Sequence, residues 1–497
     1  MSIIKSTAVV SIATLISRVL GFIRDVLIAS YLGTGALNDA FIAAFKFANL
    51  FRNIFGEGAL TSAFVPMFTR KLSIEGTKEA LHTAALVQSI LVVSLIIFSA
   101  VIMYNMEYVL TITTPGFINS GYYFEVAVEI GRITFPYLFF ISLAAFYGGI
   151  LHSVGKFMPF AATAIIFNIS MILFALYFDH GKTKAHSIAY GVLVAGILEF
   201  LWMLFFLKLN NMVVPIRSPI LTKDVKDTLN RMGAGLLGSG IAQINAWVDM
   251  IIVSFIPGGL SYIYYADRIM QLPLALIVTA TSTVLLPSIS RHITNNNMLE
   301  FRNIKDNALK FSAFFLIPSS LVLYFFAFEI IECLLKRGSF DHESVINTAN
   351  ALKFLALGLP AFALIKLFST NFYAHGDIKT PVKIASIALL LNILISISLI
   401  SALRHVAVSI ASASSAWFAA IIMIIIARKR EYYRFHFSLY RDLSVYFIVS
   451  MISIVVIFVN FNILELHILI SFFMSGIFYI AACSIISTLR NKKLSIF

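Results

Sequence analysis

Charged residues are scarce in this chain. Asp, Glu, Lys and Arg make up 12% of its 497 residues, whereas 60% are hydrophobic and the mean hydropathy is +0.92. A soluble globular domain carries about 25% charged residues, so the composition excludes one. It predicts an all-α polytopic membrane protein, in which each membrane-spanning helix needs about 20 apolar residues.

Motifs of soluble enzymes and metal sites are also missing. The two cysteines, Cys333 and Cys483, lack a metal-binding spacing, and Cys483 lies within the last apolar segment. There is no HExxH motif, and GKT at 181–183 is no P-loop because Leu176 stands where the first glycine belongs. We therefore expect no enzymatic activity, no cofactor and no metal centre. We expect transport driven by an ion gradient or by the membrane potential rather than by ATP.

About fourteen apolar segments follow one another along the chain, and Lys and Arg concentrate in alternate connections between them. Short loops rich in Lys and Arg lie on the cytoplasmic side of a membrane. The pattern therefore predicts that both termini are cytoplasmic, which agrees with an even number of spans. It also accounts for the formal net charge of +13 without a nucleic-acid partner.

An internal repeat divides the sequence. RDVLIASYLGTG (24–35) resembles VDMIIVSFIPGG (248–259), and this pairs Asp25 with Asp249 at an offset of 224 residues. The same offset relates two further pairs in apolar segments, Pro136 with Pro360 and Asn168 with Asn392. We expect two pseudo-symmetric six-helix lobes and a C-terminal helix pair, covering residues 1–218, 219–430 and 431–497.

The first two apolar segments carry an unusual set of charged residues: Arg18, Arg24, Asp25, Asp39, Lys46, Arg52 and Glu57. A charge at the centre of a membrane helix costs about 2.5–3.5 kcal/mol, and such residues usually face a bundle interior or a water-filled cavity. We therefore expect a polar, net cationic cavity inside the bundle. The alternative for Arg24 is a purely structural ion pair with Asp25 or Asp39.

The second half of the chain supplies four counterparts: Asp249, Asp267, Arg268 and Lys366. Lys366 stands alone in the middle of an apolar segment, which favours a functional role over snorkelling to the membrane surface. Asp267 and Arg268 are adjacent, so they either serve the cavity or neutralise each other.

At these residues the sequence resembles the MurJ (MviN) family, the lipid II flippases of the MOP exporter superfamily. The motifs that carry the resemblance are SRVLGFIRD, DAFIAAFKFANLFRNIFGEGALTSAFVP, TPGF, ITFPYLFFISL, YYADRIMQLP and DIKTPVKIA. The resemblance implies fourteen helices in two lobes around a central cationic cavity, with a groove for a lipid tail at the last two helices.

The implied activity is transport of undecaprenyl-pyrophosphate-linked disaccharide pentapeptide, called lipid II. It moves from the cytoplasmic to the periplasmic leaflet of the bacterial inner membrane, for peptidoglycan synthesis. The expected partners are this lipid, the surrounding membrane lipids, and proteins of cell-wall synthesis and division.

The resemblance implies roles for Arg18, Arg24, Arg52, Arg268, Asp25 and Asp39, and the position of Lys46, Glu57, Asp267 and Lys366 in the apolar segments adds these four to the same site. The cationic substrate-binding residues are expected to be Arg18, Arg24, Arg52, Arg268, Lys46 and Lys366. The residues that gate the cavity or balance its charge are expected to be Asp25, Asp39, Glu57 and Asp267. Sodium coupling in part of the family points to Asp249, while Gln271 stands where some relatives carry a Glu.

Elementary chemistry fits this assignment, because arginine binds phosphate oxygens bidentately. Rocking of one lobe against the other would give alternating access.

Three other functions stay open. A related exporter of another polyprenyl-linked glycan or of a cationic drug is one, although a drug site would be acidic. A membrane glycosyl- or acyltransferase would need a catalytic His or paired acids. A non-transporting scaffold would leave the intramembrane arginines without a purpose.

Overall fold

The computed structural model describes residues 3–52, 60–178, 181–294, 298–433, 437–462 and 467–489. Within these ranges the regular structure is helical, and they contain no β-strand. A helix satisfies its backbone hydrogen bonds within one segment, which an apolar chain in a membrane requires. The fold class predicted from the composition is therefore confirmed.

The first compact unit comprises Met1–Ser261 together with Arg337–Asp341. Besides a short 3-10 turn at Pro115–Ser120 it holds ten helices among the described residues: α1 (Ile3–Leu32), α2 (Ala36–Arg52), α3 (Leu60–Ile74), α4 (Gly76–Tyr104), α5 (Met106–Thr113), α6 (Tyr122–Thr134), α7 (Tyr137–Ser153), α8 (Met158–Tyr177), α9 (Lys184–Leu209) and α10 (Lys223–Val253). Its core forms where α8 packs against α1 and α9, and where α7 packs against α9.

The second compact unit comprises Tyr262–Lys336 and His342–Phe497. Its helices are α11 (Gly259–Thr294), which begins just before the unit does, α12 (Met298–Phe325), α13 (Ala327–Leu335), α14 (His342–Leu357), α15 (Leu359–Ala374), α16 (Lys379–Leu403), α17 (Val406–Lys429), α18 (Phe437–Asn462) and α19 (Ile468–Leu489). Here α17 packs against α15 and α16, while α18 packs against α12 and α19.

The helix bounds follow the repeat offset closely. Pro136 stands between α6 and α7, and Pro360 is the second residue of α15, directly after the break that follows α14. Asn168 lies on α8 and Asn392 on α16. The first compact unit nevertheless extends to Ser261, past the predicted lobe boundary at residue 218. The division into functional lobes stays a prediction.

Nine helical segments among the described residues are long and apolar enough to cross a membrane, and a tenth is formed if α14 and α15 count as one span with a 42° bend. The chain is thus a multi-pass membrane protein. The helices outside that set include α1, α2, α10 and α11, which carry the predicted charged residues of the site. The total of fourteen spans stays a prediction.

A short segment between α13 and α14 packs against the end of α1 within the first unit. The Ser339 amide donates a hydrogen bond to the Ser30 carbonyl at 2.8 Å. Two glycines make this crossing possible. A Cβ on Gly33 would lie 2.4 Å from the Ser339 oxygen, and one on Gly338 would lie 2.4 Å from the Ser30 oxygen. Both glycines adopt positive φ, at 69° and 55°, which disfavours other residues.

Near the start of α12, the second unit buries a lysine completely. Lys305 is 0% exposed, and its Nζ lies 4.1 Å from the ring centroid of Phe368 and 4.2 Å from that of Tyr433. Nζ has no hydrogen-bond partner, whereas the Tyr433 hydroxyl donates to the neighbouring Asp306. Two aromatic faces therefore replace the solvation of this ammonium group.

Candidate functional site

Arg24, on α1, is a buried charged group of the first unit with three hydrogen bonds. Its guanidinium donates to Asp25 Oδ1 from Nη2 at 2.7 Å and from Nε at 3.1 Å. A third bond runs from Nη1 to Asn168 Oδ1 on α8, at 2.8 Å. Arg24 is 7% exposed and Asp25 5%. The ion pair that the sequence left as an alternative is therefore present, and an amide completes it.

Asn168 also connects this pair to Ser17, about two turns earlier on the same helix. Its Nδ2 donates to the Ser17 carbonyl oxygen at 2.9 Å, while its Oδ1 accepts from Arg24. Gly21 lies beside this amide, and a Cβ there would make an ordinary van der Waals contact with Asn168 Nδ2 at 3.6 Å. The Arg24 guanidinium carbon also lies 5.5 Å from the centroid of the Phe167 ring. The sequence singled out Asn168 only as a member of the repeat, and the structure shows it to be an Arg24 ligand.

Asp39, at the start of α2, is fully buried and caps the beginning of α11. Its carboxylate accepts hydrogen bonds from the Gly258 amide at 2.7 Å and from the Ser261 amide at 2.8 Å. The Ser261 hydroxyl supplies a third, at 2.5 Å. A carboxylate at a helix N-terminus satisfies amides that have no partner within the helix and interacts favourably with the helix dipole.

A second acidic group near the site went unnoticed in the sequence. Glu199, on α9, is 2% exposed, and its carboxyl is hydrogen-bonded to the Tyr137 hydroxyl. Arg52 acts electrostatically on both Glu199 and Tyr137, and Arg24 acts on Tyr137. The signal that could have revealed it is a single carboxylate inside a long apolar segment. Arg24 and Arg52 thus each have an acidic neighbour, Asp25 on α1 and Glu199 on α9 respectively.

The other described residues of the first unit that the sequence predicted for the site are more accessible than Arg24, Asp25 and Asp39. Arg18 is exposed, whereas Lys46, Arg52 and Asp249 are half-buried. Arg52 donates from Nε to Asn49 Oδ1 at 2.6 Å. Glu57 lies outside the described residues.

In the second unit, Arg268 is half-buried on α11. Its Nη2 donates to the Tyr264 hydroxyl at 3.2 Å, and its guanidinium carbon lies 4.9 Å from the centroid of the same ring. Asp267 accepts a hydrogen bond from Gln271, the residue that replaces a Glu of some relatives. A neutral amide therefore occupies a position at which a carboxylate would repel Asp267. Lys366, on α15, is exposed.

The described residues contain no group of three or more His, Cys, Asp or Glu side chains that could hold a metal ion. Asp249 is half-buried on α10 and is the residue to which a coupling ion was assigned by resemblance. No further ligand set is apparent around it in the described part of the chain.

The last two helices border an apolar cavity of about 500 Å³ within the second unit. Residues of α11, α12 and α13 form its opposite wall, and its lining includes Pro273, Phe315, Ile457, Phe472 and Ile480. This cavity lies at the two helices where the resemblance implied a groove for a lipid tail, and its use by a lipid tail stays a prediction.

Comparison with known proteins places these features in a family. The family model described as "Lipid II flippase MurJ" matches residues 28–478. A protein named probable lipid II flippase MurJ from Rickettsia prowazekii (strain Madrid E) is 36% identical over 418 residues, which cover 84% of this chain and 82% of that protein. One of the same name from Buchnera aphidicola subsp. Baizongia pistaciae is 32% identical and covers 97% of this chain and 95% of its own length.

Comparison with solved structures indicates the same family as the sequence relatives do. A structure described as lipid II flippase MurJ in an inward closed conformation superposes with a TM-score of 0.83 at 27% identity, covering 97% of this chain and 99% of that one. An inward-facing multidrug resistance MATE transporter of the MOP superfamily shares the fold, with a TM-score of 0.68 at 16% identity over 83% of this chain and 94% of that one. These relatives are transporters and not enzymes. The family match over most of the sequence, together with relatives above 30% identity, shows that the chain belongs to the lipid II flippase MurJ family.

Proposed function

We propose that this protein moves lipid II across the bacterial inner membrane, from the cytoplasmic to the periplasmic leaflet, without consuming ATP. The observation that carries the proposal is the set of membrane-helix cations that stay at least partly accessible in the fold: Arg18, Lys46, Arg52, Arg268 and Lys366. A cation exposed to hydrocarbon is costly, so accessible cations in membrane helices belong to a water-filled, anion-binding surface.

The proposed phosphate ligands are Arg18, Arg24 and Arg268. Arginine suits this role because its planar fork binds phosphate oxygens in pairs and keeps its charge at all physiological pH values. Arg24 is already bound to Asp25 and Asn168, so a phosphate must compete with the Asp25 carboxylate for it. Asp25 would hold Arg24 in the absence of substrate and release it when the pyrophosphate arrives.

Asp39 and Arg52 are proposed to serve gating and charge balance. Asp39 contributes three hydrogen bonds that tie the start of α2 to the start of α11, and these bonds break if the two segments separate. Arg52 balances Glu199, a buried acid that would otherwise lower the positive potential around Arg24. Alternating access would then require breaking and remaking these contacts.

The prenyl tail is proposed to occupy the cavity of about 500 Å³ beside α18 and α19. Its lining is mostly apolar, although it includes Glu329, so a polyprenyl chain that enters it from the surrounding lipid exchanges one apolar environment for another. The tail therefore stays in an apolar environment while the polar head group crosses.

The driving force is proposed to be Na+ or the membrane potential, with Asp249 as the residue that couples an ion. We further propose that both termini are cytoplasmic. A second candidate cargo is another polyprenyl-pyrophosphate-linked glycan, because the cationic residues recognise the pyrophosphate and not the sugar.

Complementation tests the proposal. Cells depleted of their own lipid II flippase would receive the wild type, Arg18→Ala, Arg24→Ala or Arg268→Ala, with Lys208→Ala as a control. Lys208 is an exposed cation at the end of α9, outside the proposed ligand set. Membrane levels of each variant would be measured in parallel.

We expect the wild type and Lys208→Ala to restore growth and the three arginine variants to fail at normal membrane levels. Failure of a well-expressed wild type would favour the other polyprenyl-linked glycan. Rescue by all three arginine variants would refute the proposed phosphate ligands while leaving the transport activity in place.

A further inference from the structure

A second apolar cavity, of about 570 Å³, lies within the second unit, and its lining shares no residue with the cavity beside α19. Five helices form it: α12, α14, α15, α17 and α18. The residues that matter here are Leu309, Ser312, Leu357, Pro360, Trp417 and Leu443. The volume falls within the range of about 300–1,000 Å³ typical of ligand pockets.

The bend between α14 and α15 opens this space. Leu357 and Pro360 line it from either side of the 42° break. Pro360 lacks the amide that would continue the helical hydrogen bonding, which favours a break there. Across the cavity, Trp417 donates from its indole nitrogen to the Leu357 carbonyl at 2.8 Å and holds the exposed end of α14 in place.

Two lining positions of this cavity carry bulkier residues at the repeat-related positions of the first unit. Ala363 and Leu364 line the cavity, and 224 positions earlier the first unit has Phe139 and Phe140. The Phe140 ring packs against that of Phe200, with centroids 6.0 Å apart. Aromatic rings thus occupy, in the first unit, positions at which the second unit has smaller side chains.

The chemistry of the lining selects an apolar occupant. Its few polar atoms are serine hydroxyls, and one of them, on Ser320, already donates to the Ala356 carbonyl at 2.6 Å. Ser312 is 3% exposed, and its hydroxyl has no hydrogen-bond partner. The described residues that line the cavity include no charged side chain. A hydrocarbon chain fits this lining, whereas a polar solute would lose its hydration without compensation.

Where α12 and α18 border the cavity, charged residues stand directly beside lining residues. Lys310 follows Leu309, and Arg441 and Asp442 precede Leu443. Lys310 Nζ lies 2.9 Å from Asp442 Oδ2, and Arg441 Nε lies 3.9 Å from Asp442 Oδ1. Arg441 Nε makes no hydrogen bond although its side chain is 40% exposed. Two cations beside one carboxylate leave this rim with a positive excess.

We propose that this cavity binds one acyl chain of an anionic glycerophospholipid from the surrounding bilayer, with the lipid phosphate at Arg441 and Lys310. A membrane protein meets such lipids along its whole surface, and basic groups next to an apolar cleft between membrane helices are the arrangement that retains them. The bound lipid fills the space beside the α14–α15 bend. It is separate from the transported lipid, whose tail is assigned to the other cavity.

Native mass spectrometry of the full-length protein tests this. The wild type would be incubated with vesicles of dioleoyl-phosphatidylglycerol or of dioleoyl-phosphatidylcholine, and the retained lipid counted. The cavity would be filled by the double substitution Ala363→Phe and Leu364→Phe, which copies the first unit. Leu394→Phe is the matched control, because Leu394 is 64% exposed on α16 and lines neither cavity. Thermal unfolding without added lipid would verify that each variant is folded.

We expect the wild type and Leu394→Phe to retain phosphatidylglycerol in preference to phosphatidylcholine. The filled variant should retain about tenfold less, because two phenyl rings displace several methylenes of the chain. Arg441→Gln should abolish the preference for phosphatidylglycerol while leaving chain binding intact. Unchanged retention in the filled variant, or equal retention of both lipids by the wild type, would overturn the proposal.

Competition with farnesyl pyrophosphate separates this site from the transport function. We expect added farnesyl pyrophosphate to leave the retained phosphatidylglycerol in place. Displacement would assign the cavity to a prenyl tail and refute the proposal, whereas the arginine variants of the complementation experiment would be unaffected by that outcome.

Discussion

Asn168 and Asn392 occupy equivalent positions in the two halves of the chain, on α8 and α16, yet they serve different partners. Asn168 is bound to the Arg24 guanidinium and so belongs to a charged network. Asn392 accepts a hydrogen bond from the Ser396 hydroxyl at 3.1 Å and has the Ser412 hydroxyl 3.4 Å from its Nδ2. Position 248, which corresponds to Arg24, is a valine.

The different partners of Asn168 and Asn392 distinguish a residue that the repeated fold requires from residues that serve the function. Both helices bury an asparagine, so the repeated architecture alone accounts for an amide at this position. The repeat does not keep the cation, since Val248 stands at the position of Arg24, whereas the carboxylate recurs as Asp249. The Arg24 charge is therefore not a requirement of the repeated architecture, which supports a functional role for Arg24.

The largest expected effect comes from removing the two asparagines separately. Asn168→Leu leaves a buried guanidinium without one of its ligands, and a hydrogen bond to a charged group contributes about 1.5–3 kcal/mol. Asn392→Leu removes only neutral hydrogen bonds, at about 0.5–1.5 kcal/mol each. We expect Asn168→Leu to abolish complementation and to lower the unfolding temperature more than Asn392→Leu, which should still complement. Equal loss of function in both would show that the amide, and not the charge, is what matters.

An intermediate effect is expected at Asp39, whose repeat counterpart is the apolar Ile263. Asp39→Asn keeps the shape but leaves a single acceptor oxygen for three donors, so we expect a loss of about 1–2 kcal/mol in the free energy of unfolding. Ser261→Ala is the graded control, since it removes the hydroxyl donor and keeps both amides. Its smaller loss would be measured by thermal unfolding in the same detergent. A loss at Ser261→Ala as large as that at Asp39→Asn would contradict the capping role.

The smallest effect is expected at Lys71, near the end of α3, which pairs with Asp224 at 2.6 Å and with Glu75 at 3.3 Å. The hydrogen bond to Asp224 raises the pKa of Lys71 above its ordinary value, despite some burial. Its repeat counterpart, position 295, lies outside the described residues. Lys71→Gln should cost about 0.2–1 kcal/mol, as partly exposed pairs do.

The pH dependence of this pair has a defined sign. Because the pKa is raised on folding, the contribution is complete below the ordinary pKa of 10.5 and is lost as the pH rises through the folded value. The difference in unfolding temperature between wild type and Lys71→Gln should therefore persist at neutral pH and disappear only in strong alkali. High salt should reduce it as well. A difference that vanished below pH 10 would exclude the ion pair as its cause.

Periodicity and composition were sufficient to predict the helical membrane fold and the repeat, because both depend on patterns within each segment. They also located Arg24, Asp25 and Asp39, since charges stand out in apolar segments. The hydrogen-bond partners of these charged residues could not be predicted from the sequence. Asn168 is 144 residues from Arg24, and the amides that Asp39 caps are 219 and 222 residues away. Such contacts depend on how helices pack, which a single sequence does not specify.

Glu199 and Lys305 are two buried charged residues whose environment the sequence did not predict. Each is one charged residue in or beside an apolar segment, and each is fully enclosed by groups from distant helices. The rings that surround Lys305 are ordinary aromatic residues in the sequence, indistinguishable from the many that pack against lipid. Only the three-dimensional arrangement gives them a role.

The enclosure of Lys305 has a consequence for the order in which the chain is made. Its neighbour Asp306 and the ring of Tyr433 are 127 residues apart, so at about 5–20 residues per second the ribosome needs roughly 6–25 s to supply the ring once Lys305 has emerged. During that time the ammonium group lacks the Tyr433 ring, one of the two rings that enclose it, and must remain hydrated. We infer that the start of α12 waits at the membrane surface and takes its final depth only after the turn that follows α17 has been synthesised.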